Sequence, residues 1–383
     1  MEVKLSDFAL LAILLLQCTL IYHYYKKNQK LSVKPKTKND KFPTPVIKPV
    51  SNDFKWEKTE PKKYRPFKKG QYNMTLAIKK LDVNEYICIE NTYLDMVHLR
   101  ERLFDEMKFY GCDDSAVDAL KEMYCWVFDY MHTKYPRYFQ IDKEKELYLN
   151  KITNKFFPTD PNNLKKEEIL RLLCTNIEED FLIMIKNPNS EQPDEYILRS
   201  AVTCFAAGFN PLTKLNKNLT AVHEPVPNYT NKLQLSMNRF FDRVHKNEFI
   251  VRTNWSVQTH CNLCAPSGSH ARKTDSKATL APINAEDLDF NKCFMRCEKQ
   301  CVTRLPKTGA IMMIVRTYPT SLMKLRMELS PEERETFCSA IDGVSGDLAI
   351  YKRRVVWGDA VKKFMNFETD GKESKYTEYK FQS

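Results

Sequence analysis

The sequence predicts an α+β fold: a sheet between about residues 195 and 328, flanked by helices and preceded by an N-terminal transmembrane helix. Three observations lead there. Residues 93–132 carry apolar side chains at helical spacing: Leu94, Leu99, Leu103 and Met107, then Val117, Leu120, Met123 and Val127. The stretches "EFIVRTNWSVQ" (248–258) and "TGAIMMIVRTY" (308–318) read as strands, the second apolar enough to be central. Ser330, Pro331 and Glu333 form a capping box with proline in the first helical turn, opening a helix that runs to about 342.

The remaining elements follow in order. Residues 8–25, "FALLAILLLQCTLIYHYY", are an apolar run broken only by Gln17 and His23, near the lower length limit for crossing a bilayer as a helix. Tyr22, Tyr24 and Tyr25 resemble an interfacial belt, and no small-residue cleavage site follows, so residues 1–25 are expected to be an uncleaved single-pass anchor. Lys26, Lys27 and Lys30 follow the run with little positive charge before it, which places the C-terminal body in the cytosol, with the endoplasmic reticulum the expected membrane. Residues 26–70 read as an extended, disordered Lys/Pro-rich tether whose lysines also suit an anionic leaflet. The body is then one domain, 71–383. Residues 165–186 continue the helical style, 187–193 form a turn-rich break, and "EYILRSAVTCFAAGF" (195–209) is short and β-friendly. A helix is expected over about 231–245 and a last one over roughly 358–367; there is no internal repeat.

Charge and composition exclude several functions. The chain of 383 residues has a net charge of +11. Residues 26–70, with fifteen Lys/Arg against four acids, carry all of it, and residues 71–383 are near neutral. A nucleic-acid-binding domain needs a basic face of its own, so nucleic acid is not an expected partner. Glycine occurs nine times, never as G-x-G or G-x-x-x-x-G-K, which argues against NAD, FAD or ATP bound in the familiar ways. Twelve cysteines in a cytosol-facing domain are expected to be reduced, and the sequons at Asn73, Asn218, Asn228 and Asn254 would carry no glycan.

Several motifs carry possible chemistry. "HCNLCAPSGSH" (260–270) pairs Cys261 and Cys264, and Cys293, Cys297 and Cys301 follow; zinc or an iron–sulfur cluster is one reading. The second group is C-x₃-C-x₃-C, not a second C-x₂-C, and equally fits a small apolar core stripe. "DLD", Asp287–Asp289, behind an anchor and a stem suggests a glycosyltransferase, but the charge flanks point away from a lumenal domain. Arg296, Glu298, Gln300 and Arg304 share one strand parity, either as the water-facing row of an edge strand or as a cavity wall for carboxylates and an amine. Arg252, Asn254 and Trp255 in "VRTNWS" add similar chemistry. In "TAVHEPVPNY" (220–229), Pro225 and Pro227 stiffen the chain around His223, which suits an imidazole that must point one way and also an ordinary loop closing a sheet.

"LTAVHEPVPNY", "VRTNWS" and "MRCEKQCVTRLPKTGAIMMIVRTY", in that order and led by "AVTCFAAGFNPLTKLNKNL", resemble the haem-dependent oxidative N-demethylase family over about residues 80–365. The resemblance implies a PAS-like haem-binding fold, an antiparallel sheet flanked by helices. It also implies a haem b enzyme that activates oxygen and removes a methyl group from a small amine as formaldehyde. His223 is then the expected iron ligand. Arg252, Arg296 and Arg304, with Trp255 beside them, are expected to bind the haem, the arginines through its propionates. Glu298 is expected to hold a cationic amine, and Asn254 and Gln300 to orient oxygen or substrate. Electrons would come from a separate reductase. Two departures stand out: Lys299 where the family usually has arginine, and residues 258–290, which look like an insertion. The rival readings are a haem sensor or carrier without turnover, and a scaffold that binds no haem.

Overall fold

The computed structural model describes residues 43–186, 195–271, 275 and 278–378. The expected membrane span, 8–25, lies outside the described residues. No helix among the described residues is long and apolar enough to cross a membrane.

The elements run β1 (Ile78–Lys80), α1 (Tyr93–Met107), β2 (Tyr110–Cys112), α2 (Val117–Lys134), β3 (Phe139–Asp142), β4 (Leu147–Asn150), β5 (Lys155–Pro158), α3 (Lys166–Cys174), β6 (Asp180–Lys186) and β7 (Tyr196–Val202). Then come α4 (Leu219–Val222), α5 (Tyr229–Lys232), α6 (Gln234–Arg243), β8 (Ile250–Gln258), β9 (Phe294–Arg304) and β10 (Ile311–Ser321). The chain closes with α7 (Leu322–Glu328), α8 (Pro331–Gly343), α9 (Gly346–Tyr351) and α10 (Arg354–Met365). Seven strands form one antiparallel sheet in the order β1-β8-β9-β10-β6-β7-β2. β3, β4 and β5 form a small second sheet whose Phe139, Tyr148 and Phe157 pack with the core residues of α2.

The α+β architecture and most expected elements are present. The predicted capping box on α8 forms: Glu333 N–H donates to Ser330 Oγ at 3.2 Å, and Ser330 N–H to Glu333 Oε2 at 2.8 Å. The sheet extends further than expected, starting at Ile78 and taking in residues 110–112 and 180–186. "DFLIMIK" in β6 is a nearly unbroken apolar run, and a strand buried on both faces loses the alternation that separates strand from helix. The strands of the small sheet are four residues each, too short for a periodic signal.

The second half of the expected tether is not a free linker. The compact unit begins at Thr44. Ile47, Val50, Phe54 and Trp56 pack on the main core, and Phe67 is buried with its ring 5.0 Å from that of Phe337. Backbone bonds stitch the segment down, from Val50 N–H to the Lys134 carbonyl and from Tyr72 N–H to that of Gly343. Its apolar residues are spaced irregularly between prolines, so an extended chain that wraps a core reads as a linker when only periodicity is scored.

Alternation sorts the sheet into two faces. On one, Trp255, Cys297, Cys301, Met312 and Ile314 enter cores built with α1, α2, α8 and α10. On the other, Met184, Leu198, Val302 and Ile311 meet Leu219 of α4 and Phe241 of α6. This second face is only partly filled.

Candidate functional site

The unfilled part is a cavity of about 350 Å³ between the sheet and α4–α6, closed at one end by residues 348–352. Leu182, Met184, Val302 and Met313 form its floor; Leu219, Val222, Met237 and Phe240 form its roof. Polar groups enter from β8 and β9 (Arg252, Asn254, Gln300), from the α4–α5 turn (His223), from the loop after β8 (His270), and from Tyr351 and Lys352. Among the described residues no Asp or Glu lines it.

His223 follows the last residue of α4, held on both sides by backbone: its N–H donates to the Leu219 carbonyl, and its own carbonyl accepts from Val226. The ring repeats the first contact, Nδ1 lying 2.8 Å from Leu219 O, and stacks on Tyr229 with centroids 4.5 Å apart and planes 7° from parallel. Nδ1 must therefore carry the proton, which leaves the lone pair on Nε2, an atom with no partner among the described residues. Burial pushes the imidazole below its ordinary value, only partly offset by the Leu219 bond, so the ring is neutral at neutral pH.

His270 repeats this arrangement, although the sequence does not single it out. Its Nδ1 lies 3.1 Å from Ala207 O, and its ring centroid is 4.7 Å from that of Tyr351. Burial, with repulsion from Lys352, pushes it down to about 4. Gly208 makes room for it: at φ +79° the residue sits in the left-handed region, and a Cβ there would collide with the His270 ring. The loop that reads as an insertion thus docks through Gly208 N–H on Ala265 O and delivers an imidazole. In the sequence His270 is visible only as the end of the cysteine motif.

Register explains the strand residues. Arg252 pairs with Gln300 and Asn254 with Glu298, directly opposed and therefore on one face. Arg252 Nη1 donates to Gln300 Oε1 at 2.7 Å, and Gln300 Nε2 donates to Glu298 Oε2 at 3.1 Å. An arginine can only donate and a carboxylate accepts, so the Gln300 amide has one orientation. The Asn254 amide has no hydrogen-bond partner among the described residues.

Other expected site residues lie elsewhere. β9 is interior, not an edge strand. Arg296 is buried, its donors spent on Glu298, Leu263 O, Phe205 O and Thr317 Oγ1. Arg304 gives its donors to Val244 O, Gly309 O, Phe241 O and the Tyr196 hydroxyl. Neither lines the cavity, and irregular loops, which carry no periodic signal, bring carbonyls that engage most of the donors of both. Glu298 shares the face of Gln300 but does not line the cavity. Burial raises its carboxyl, but Arg296 and the bonds from Arg296 and Gln300 outweigh that and hold it below the usual range, so it is committed to those partners. Trp255 points the other way, packed among Phe67 and Phe337, as its odd parity relative to Arg252 and Asn254 requires. Lys299 is likewise on the far face, where Nζ donates to the Glu85 carbonyl.

Lys352, between α9 and α10, carries no signal in the sequence. Nζ donates to Trp255 O at 3.0 Å and lies 5.5 Å from the Tyr72 ring centroid. Burial, and then repulsion from Arg252, push it down to about 8.

Among the described residues no group of three or more His, Cys, Asp or Glu is placed to hold a metal ion. Cys293, Cys297 and Cys301 are buried, and burial pushes each thiol up to about 12. Asp289 caps a turn by accepting from Asn291 N–H, and neither it nor Asp287 lines the cavity.

The family model described as haem-dependent oxidative N-demethylase, alpha subunit-like, matches residues 77–362. No curated relative matches the chain. The matched span holds the whole sheet and every polar residue named in the cavity wall. The chain belongs to the haem-dependent oxidative N-demethylase alpha subunit-like family.

Proposed function

We propose that the cavity holds haem b and that the chain is a haem-dependent monooxygenase that removes a methyl group from a small methylated amine as formaldehyde. The observation that carries this reading is His223: a neutral imidazole on the wall of an apolar cavity, with Nδ1 tied to a backbone carbonyl and Nε2 free. That is how a protein presents a histidine to iron, the bonded nitrogen fixing tautomer and direction. The donor set fits the rest of the group. Arg252 keeps donors beyond its bond to Gln300 and suits a propionate, and the floor and roof suit an apolar macrocycle.

Bound haem supplies the oxygen activation that a C–H bond on an N-methyl carbon requires. The protein's own part is positional. Asn254 offers an unspent amide to oxygen or substrate, Gln300 holds Arg252, and Glu298, itself held by Arg296, braces Gln300 along the strand. Electrons are taken from a separate reductase. We place residues 1–25 as the single-pass anchor that brings the two together, with the body on the cytosolic side of the endoplasmic reticulum.

His270 favours a second reading. Two imidazoles in one cavity, each with no partner for Nε2 among the described residues, suit a haem ligated on both sides, which senses or carries without turnover. The experiment is an absorption spectrum of the full chain expressed with haem supply, beside His223→Ala and His270→Ala. The oxidase reading expects a Soret band that His223→Ala shifts or abolishes and His270→Ala leaves in place, with formaldehyde released from an added N-methylated amine. A low-spin spectrum lost in both variants, without formaldehyde, favours the sensor. A well-folded parent with no Soret band overturns both.

A further inference from the structure

The charge of the cavity wall bears on which ligands it admits, an inference that rests on the reading above for the reaction and on geometry alone for the ligand. Among the described residues two cations line the cavity, Arg252 and Lys352, and no acid does. Arg252 spends one bond on the neutral Gln300, and Lys352 one on a backbone carbonyl. Among the described residues neither has a carboxylate at ion-pair distance. The carboxylate whose charge reaches Lys352 is Glu298, and both of its oxygens are taken, by Arg296 and Gln300. Both side chains are half-buried, and a cavity wall that keeps two cations side by side without a counter-ion favours an anion as its ligand. The other walls are aliphatic and aromatic. An alkylammonium ion would bring a third positive charge beside two uncompensated ones.

We propose that the cavity takes an apolar ligand bearing a carboxylate, gripped by Arg252 and Lys352, and discriminates against simple alkylammonium ions. Where the substrate and not a haem propionate supplies that carboxylate, the substrate class for the demethylation is an N-methylated compound that also carries one, such as an N-methyl amino acid with an apolar side chain. The carboxylate has two possible sources, the substrate and a haem propionate.

The test is equilibrium binding to the full chain by calorimetry. With haem-free protein, decanoate is expected to bind at least tenfold more tightly than decyltrimethylammonium. The Arg252→Gln/Lys352→Met double variant narrows that ratio to threefold or less, and the charge-retaining Arg252→Lys and Lys352→Arg variants keep it. Equal binding, or tighter binding of the ammonium ion, to wild-type protein overturns the proposal without recourse to any variant. Haem and its dimethyl ester then separate the sources. A propionate grip makes the ester bind at least tenfold more weakly to wild-type protein and equally to the double variant, and makes decanoate compete with haem. A substrate grip leaves haem and ester alike, and haem-loaded protein still binds decanoate with a shift of the Soret band. A decanoate preference in a protein that takes up no haem keeps the anion site and removes the oxidase. A His223-dependent Soret band without any carboxylate preference does the reverse.

Discussion

On the far face of the sheet, Arg316 meets three buried carboxylates: Glu90 and Glu178, each at 2.6 Å, and Glu179 at 3.7 Å. Arg100 and Asp180 pair nearby at 2.6 Å. On the cavity face, Arg252 and Lys352 meet none among the described residues. Both faces come from the same strands by alternation, so the difference lies in what covers them. The far face is filled by helices and by the 44–70 segment, and a charge there survives only with partners. The cavity face leaves charge uncompensated beside open volume. Compensated charge in a filled core is architecture, and uncompensated charge at a cavity is what a ligand completes.

The sharpest way to break this contrast is to delete one cation from each face. Arg316→Met strands three acids in the core and is expected to cost about 3–5 kcal/mol, the range for a buried ion pair stripped of one partner. Arg252→Met loses one hydrogen bond to a neutral amide and is expected to stay within about 1 kcal/mol. Urea unfolding of both variants measures the gap, and equal losses would erase the distinction.

A smaller effect is expected at Gly208. Gly208→Ala forces a side chain into the left-handed region and against His270, for about 1–3 kcal/mol. Gly268, at φ +86° with nothing within 4 Å of where a Cβ would stand, incurs the backbone cost alone, so Gly268→Ala is expected to be the milder change. Thermal unfolding ranks the two, and only Gly208→Ala should alter the haem spectrum.

The faces are also expected to differ in the sign of their pH dependence. Burial pushes Glu178 up to about 8 from an ordinary 4.5, with Arg316 opposing. Its contribution to stability is full below pH 4.5 and is lost as pH rises through 8. His270, pushed down to about 4 from 6.5, contributes fully above pH 6.5 and loses that as pH falls through 4. Denaturation midpoints between about pH 4 and 9 should lose a decline between 4.5 and about 8 in Glu178→Gln and a rise between about 4 and 6.5 in His270→Asn. The smallest effect is expected at Lys299, whose Nζ donates to a backbone carbonyl. Lys299→Arg on the far face should leave the haem spectrum unchanged.

Much of the site is legible in the sequence. The prolines around His223 mark an imidazole held stiffly, and the matching parity of Arg252 and Asn254 with Glu298 and Gln300 describes one wall without any knowledge of register. Parity also argues against Trp255, a reading that the shared motif obscures. Arg296 and Arg304 have the right parity and the wrong surroundings: carbonyls from residues 205, 241, 244, 263 and 309 hold them away from the cavity lining. His270 and Lys352 come from loops with no periodic pattern to read.

Which side chains share a face follows from the covalent geometry of a strand, whose period of two is local, and a sequence carries that in full. Which face becomes solid core and which stays hollow does not. It depends on groups far apart in the chain, such as Arg316 and Glu90, separated by 226 residues, or Lys352 and the Trp255 carbonyl, separated by 97. Charge compensation is a sum over such neighbours, and only the folded chain brings them within reach of one another.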